Sequence, residues 1–393
     1  MRRGGSWLLG IIVVVAMAGG TWLGLRRLFR QETVTILSLL PRDGDYKPDT
    51  DEIVNGIKLA LLECRNRIGR FVIRYEDRDL FWEHASLMRP NGWPSEAGDA
   101  IRDPEIMAVI GAFHWGSSTQ HVAELNRAKL VMISPVDSYP PLTEADVGEP
   151  EEPARYRPTG DVNFFRVVPP DDLQGIVGPP WAKKRGARSV FILYHKILEG
   201  SRIAERFRGE ATRTGLEVVG FEEILWGTPP YRTLLPNIVS ANVDLVYIGA
   251  TRGGVGAAVV KDLRNAGYKG ALMLPDGCFH EDFLKGAGAA AEGAYFTSSF
   301  LPPPVAFQNT YREHFGTTGG HFAYYGYLAC KRALEAFEQA NFKDREAIRR
   351  ACASNPYFSA NGDPAAPAVG AYVVRDGHFE FVEALRKDAV PGE

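Results

Sequence analysis

The feature that most constrains this chain is a repeated alternation, from Thr33 onward, of short apolar runs with helical patterns. TVTILSLL (33–40) reads as a strand. DEIVNGIKLALLECRNRI (51–68) reads as a helix with Ile53, Ile57, Leu61 and Cys64 on one face, because apolar residues recur there at the helical period. RFVIRYEDRD (70–79) is the next strand, and IMAVIGA (106–112) is wholly apolar, as a strand covered on both faces must be. A helix from about Ser118 leads into KLVMISP (129–135). Strands separated by helices are joined by right-handed crossovers and lie parallel in one sheet.

After a proline-rich and acidic stretch, Tyr139 to Thr159, that reads as an exposed loop, the rhythm restarts. SVFILYH (189–195), a helix at 201–215 ending on Gly215, EVVGFEEIL (217–225), VDLVYIGA (243–250), a helix at 256–267 and ALMLPDG (271–277) follow in order. A strong helix, FAYYGYLACKRALEAFEQA (322–340), and a strand pair near 371–383 close the chain. The 393 residues suffice for two ordinary domains. The expected architecture is therefore α/β, with two doubly wound parallel-sheet lobes joined by a hinge. Lobe 1 is assigned to 33–160 plus about 297–345, and lobe 2 to 161–296 plus about 346–393. Such a chain has its natural binding site in the cleft, at strand C-terminal ends.

Residues 1–32 form a separate segment. Arg2 and Arg3 precede a run without charge from Gly4 to Leu25, which Arg26, Arg27 and Arg30 close. A signal peptide cleaved after Ala16-Met17-Ala18 fits the basic start. The length of the run favours an uncleaved membrane helix, since about 20 apolar residues span a bilayer. The arginine count is similar on both flanks, so charge does not set the orientation of such a helix. The rest of the composition narrows the function by exclusion. The net charge is −3 and the pI about 6.3, and no basic run follows the N-terminus, so nucleic acid is not an expected partner. The four cysteines, Cys64, Cys278, Cys330 and Cys352, form no CxxC pair and imply no metal or redox site. They allow three disulfide connectivities, while the helix faces of Cys64 and Cys330 suit buried thiols.

GAFHWGSSTQ (111–120) is the first candidate for chemistry. His114 and Ser117 are near in sequence, but no GxSxG turn presents the serine, and no HExxH or P-loop pattern occurs. No catalytic, metal or cofactor residue is assigned; a serine hydrolase using Ser117 is kept as the weakest alternative. Ser117-x-x-Gln120 has the form of a capping box at a helix start. Unpaired N–H groups there, with neighbouring hydroxyls, suit a carboxylate. SPVDS (134–138) ends the adjacent strand with further hydroxyls at the same sheet edge.

VIGAFHWGSSTQHVAELNRAKLVMISP, then NFFRVVPPDDLQG (163–175), LPDG, AYYGYLACKRALEAF and FSANGDPA (358–365) together resemble the type I periplasmic binding proteins. The likeness is to the leucine/isoleucine/valine-binding relatives that feed ABC transporters, and it covers nearly everything after residue 32. It implies a ligand carboxylate held at Gly116, Ser117, Ser118 and Thr119, a second contact at Val136 and Ser138, and an ammonium held by Asp276. Trp115 and His114 would form an aromatic wall. Glu199 and Thr251, with Arg252, stand where relatives carry aromatic residues, which points to a rewritten side-chain pocket. The implied role is capture of an amino acid or related small polar solute for an ABC-type permease, with the chain in the periplasm, anchored by its N-terminal helix or secreted. A membrane-tethered sensing domain that regulates a partner is the alternative.

Overall fold

In the computed structural model the described residues are 31–80, 96–145, 147–196, 198–224, 230–250 and 253–387. The expected signal or anchor segment therefore lies almost wholly outside them. No helix among the described residues is long and apolar enough to cross a membrane.

Two sheets organise the chain. The first contains β1 (Glu32–Leu40), β2 (Arg67–Ile68), β3 (Phe71–Asp79), β4 (Ile106–Ile110), β5 (Val131–Ser134) and β6 (Phe164–Arg166), in the order β2-β3-β1-β4-β5-β6. All neighbours are parallel except the short β2–β3 pair. The second contains β7 (Ser189–His195), β8 (Glu217–Ile224), β9 (Leu245–Gly249), β10 (Ala271–Leu274), β11 (Tyr295–Ser298), β12 (Val369–Arg375) and β13 (His378–Leu385), in the order β13-β12-β11-β10-β9-β7-β8. It is parallel from β8 to β11 and ends in an antiparallel pair.

Each sheet is covered on both faces, which is why its central strands are apolar at consecutive positions and not alternating ones. In β1 every residue from Val34 to Leu40 is buried. One face of the first sheet packs on α1 (Lys47–Glu63), α10 (His321–Ala340) and α11 (Arg345–Ala353). The other packs on α2 (Glu96–Arg102) and α3 (Trp115–Arg127). The second sheet is flanked on one side by α6 (Leu235–Ala241), α7 (Gly253–Asn265) and α8 (Glu281–Ala287). On the other lie α4 (Asp172–Lys184) and α5 (Leu198–Arg213). The remaining helix, α9 (Val305–Phe315), packs beside α1 and α10 through Phe307 and Tyr311.

The chain passes between the lobes three times: after β6, after β11, and between α11 and β12. Two elements lie in the other lobe from the one their sequence position suggests. Phe164–Arg166 completes the first sheet by pairing with Met132–Ser134, and α11 packs on the first lobe's core. The lobe boundaries thus move from 160 and 345 to beyond Arg166 and Ala353, because Phe165 and Ile348 find their apolar partners in lobe 1. All four cysteines are free; Cys278, Cys330 and Cys352 are buried and Cys64 is half-buried. In each sheet chain order reverses direction at one point, between β1 and β4 and between β7 and β9. Open α/β sheets bind ligands outside the strand C-termini at such points, and the two lobes turn these edges toward one shared cleft.

Candidate ligand-binding cleft

A cavity of about 180 Å³ lies between the lobes. Its lobe 1 wall follows β4 and β5: Phe113 and His114 from the first, Val136, Asp137, Ser138 and Tyr139 from the second, with Phe322 from the start of α10. Lobe 2 contributes Asp171 ahead of α4, Ile203 of α5, and Asp276 with Gly277 after β10. Phe300, on the segment after β11, lines it as well. The aromatic side chains form a continuous wall: Phe113 packs on Tyr46 and Phe322 at ring-centre distances of 5.2 and 5.9 Å, and Phe300 on Phe322 at 5.4 Å.

The lobe 2 floor is a polar network. The Gln174 side-chain oxygen accepts from the Asp276 backbone N–H at 3.1 Å and from the Thr297 hydroxyl at 3.1 Å. Its amide nitrogen donates to Asp171 Oδ1 at 3.2 Å and to Ser299 Oγ at 3.4 Å. Asp276 Oδ2 accepts the Ser299 backbone N–H at 3.3 Å. Burial raises the Asp276 carboxyl above the usual carboxylate range, against the opposing effect of its hydrogen bonds to Gln174, Ser299 and Gly277. A carboxylate so placed gains most from a cation brought to it, because each charge offsets the desolvation of the other.

The lobe 1 wall differs from the expected anion cradle. The helix foreseen from about Ser118 begins at Trp115, and its N-cap is His114, in extended conformation with no side-chain cap. The His114 carbonyl accepts the N–H groups of Ser117 and Ser118 at 3.0 and 3.2 Å. Ser117 therefore sits inside the first turn, and the capping box does not form. The Thr119 hydroxyl donates back to the Gly116 carbonyl at 3.2 Å. His121 Nδ1 donates to the Ser117 carbonyl at 2.7 Å, a bond that offers the serine hydroxyl no base.

Of the residues singled out in sequence, Val136, Ser138, Asp276 and His114 line the cavity, whereas Gly116, Ser117 and Thr119 do not. Ser118 is fully buried in the first turn of α3. The side chains of Trp115 and Glu199, and the whole of Thr251 and Arg252, lie outside the described part. Phe113, Asp137, Tyr139, Asp171, Ile203, Gly277, Phe300 and Phe322 were not singled out. Asp171 sits in the PPDDLQG stretch and so carried a sequence signal. Asp137 stood between two singled-out positions and looked like an ordinary turn residue.

Asp137 is 3% exposed. Its Oδ1 accepts the Tyr139 N–H at 3.0 Å, and its own N–H donates to Ser134 Oγ at 2.9 Å. Oδ2 and the Ser118 hydroxyl are both buried without a well-formed hydrogen bond. The hydroxyl is nevertheless near enough to favour the ionised carboxyl, which burial pushes the other way more strongly. Arg166 locks this loop: Nη1 donates to the Tyr139 carbonyl at 2.8 Å and the Asp137 carbonyl at 3.3 Å, and Nε pairs with Asp363 at 2.6 Å. FSANGDPA thus acts from the third crossing segment. Its Gly362 has φ +98°, and an added Cβ would stand 2.2 Å from the Phe164 carbonyl.

Two α/β lobes, three crossings and a small cleft at facing strand ends define a two-lobed binding protein. A profile described as Periplasmic binding protein matches residues 33–379, and the chain belongs to that family. It is 24% identical over 369 residues to the Leu/Ile/Val-binding protein homolog 2 of Brucella abortus (strain 2308), covering 87% of this chain and 91% of that protein. The fold matches a leucine-binding protein of Thermotoga maritima with a TM-score of 0.73 at 22% identity, over 90% of this chain and 99% of that one. It also matches the branched-chain amino acid transporter substrate-binding protein of Streptococcus pneumoniae, solved with isoleucine, with a TM-score of 0.72 at 20% identity over 90% and 100% of the chains. The family and these neighbours are solute-binding proteins and not enzymes.

Proposed function

We propose that this protein captures a small ammonium-bearing solute, an amino acid or a related polar molecule, and presents the closed form to an ABC-type permease. In this reading it works outside the cytoplasm, tethered by its N-terminal helix or released by signal cleavage. The observation that carries it is Asp276, held at the cleft floor by Ser299 and Gln174 with its carboxyl raised by burial. The names of the Brucella relative and of the isoleucine-bound neighbour support a solute of this class. The lobes close on it by hinge motion at the three crossings.

The test is a thermal-shift screen of amino acids, amides and small polyamines. A ligand that binds only the folded form raises the melting temperature by mass action. The expected outcome is at least one hit that Asp276→Ala weakens by tenfold or more. A hit indifferent to that substitution places the ammonium elsewhere.

A further inference from the structure

Both walls of the cleft are acidic. Asp137 lines it from lobe 1, Asp171 and Asp276 from lobe 2, and among the described residues no lysine or arginine lines it. Among the described residues, the nearby guanidiniums are directed elsewhere. Arg166 pairs with Asp363 and reaches only the backbone carbonyl of Asp137, and Arg202 donates to the Val147 carbonyl. Asp137 Oδ2 is buried with no well-formed hydrogen bond, and so is the Ser118 hydroxyl in the first turn of α3. This is the N-terminal turn of α3, whose unpaired N–H groups would otherwise suit a ligand's carboxylate. The protein's own carboxylate already stands there.

We infer that the cleft is built for a small aliphatic amine without a carboxylate group, held by Asp276 at one end and by Asp137 at the other. The inference rests on the solute-binding reading above and narrows its ligand. A carboxylate brought to the Asp137 end meets a like charge in a poorly solvated place, whereas a donor-rich cationic or neutral group adds a donor to a carboxyl whose Oδ2 has only the Ser118 hydroxyl beside it, in poor geometry. An α-amino acid can satisfy only the Asp276 end. An amine satisfies it without the penalty, and a diamine satisfies both.

The experiment is calorimetric and thermal-shift titration of the full-length chain with three probes: L-leucine, its carboxylate-free counterpart 3-methylbutylamine, and 1,4-diaminobutane. At least one amine is expected to bind tenfold or more tighter than L-leucine. Asp137→Asn, which keeps the side-chain shape, is expected to weaken that amine by tenfold or more while retaining a cooperative melt. The wild-type comparison stands even where the variant folds poorly. L-leucine binding as tightly as the better amine overturns the inference and leaves a solute-binding cleft in place. Amine binding unchanged in a folded Asp137→Asn also overturns it. Silence toward both amines overturns it whatever else binds, and only silence across the whole solute screen would take the broader reading with it.

Discussion

Removing the Asp363 carboxylate would leave Arg166, a side chain with no exposed surface, without the carboxylate that pairs with it at 2.6 Å. An uncompensated buried charge costs about 3–5 kcal/mol. Asp363→Ala should therefore lower the urea midpoint by a corresponding amount. It should also weaken ligand binding, because Arg166 holds the carbonyls of Asp137 and Tyr139 that shape the lobe 1 wall. Wild-type stability in Asp363→Ala would show that Arg166 finds another partner. The roles of single residues were unevenly legible. Asp276 follows an apolar strand and precedes a glycine, so its place at a strand end could be read directly. Asp137 has the same local chemistry as any turn aspartate. Its burial depends on α3, Ser134 and the Arg166 clamp, the last of which is completed by Asp363, 197 positions along the chain from Arg166.

At the scale of elements, strands declared themselves and helix starts did not. β1, β4, β7 and β9 are apolar runs buried almost throughout, and a parallel strand covered on both faces can be little else. The start of α3 moved to Trp115 because the His114 carbonyl took the Ser117 and Ser118 N–H groups, a choice that SxxQ spacing does not encode. α4 contains Pro179 and Pro180, which argue against a helix in sequence. Even so, its first residues pack at the cleft and its Trp181 is buried in the core of lobe 2. The contact of α1 with α10 shows what glycine supplies between elements. A Cβ on Gly56 would stand 1.9 Å from the Ala323 carbonyl, and one on Gly326 2.4 Å from the Ile53 carbonyl. Gly326→Ala should force the helices apart at a cost of about 1–3 kcal/mol. Gly209→Ala, in α5 with open space around it, should instead stabilise by about 0.5–1 kcal/mol. Comparing the two melting temperatures checks the pair; equal shifts would refute the packing argument.

For the whole molecule, the contacts that bridge the lobes decide how readily the cleft closes. The Asp171 N–H donates to the Ser138 carbonyl at 2.9 Å. Arg202 of α5 reaches the Val147 carbonyl and lies 5.4 Å from the centre of the Tyr139 ring. Both Arg202 contacts exist only with the lobes together. Arg202→Ala should thus favour the open form, weakening ligand binding about fivefold if the latch is worth about 1 kcal/mol. The melting temperature without ligand should change little. Titration paired with small-angle scattering checks this, and an unchanged affinity would mean that Arg202 is not a latch. The α/β class, the two-lobe plan and the place of the cleft were all present in the order of apolar runs, because burial on both faces and right-handed crossovers leave few arrangements for such a pattern. The crossing points, the lobe that claims β6 and α11, and the acidic lobe 1 wall came only with the tertiary structure. Each depends on which distant side chains meet, and a local pattern carries no information about partners it does not contain.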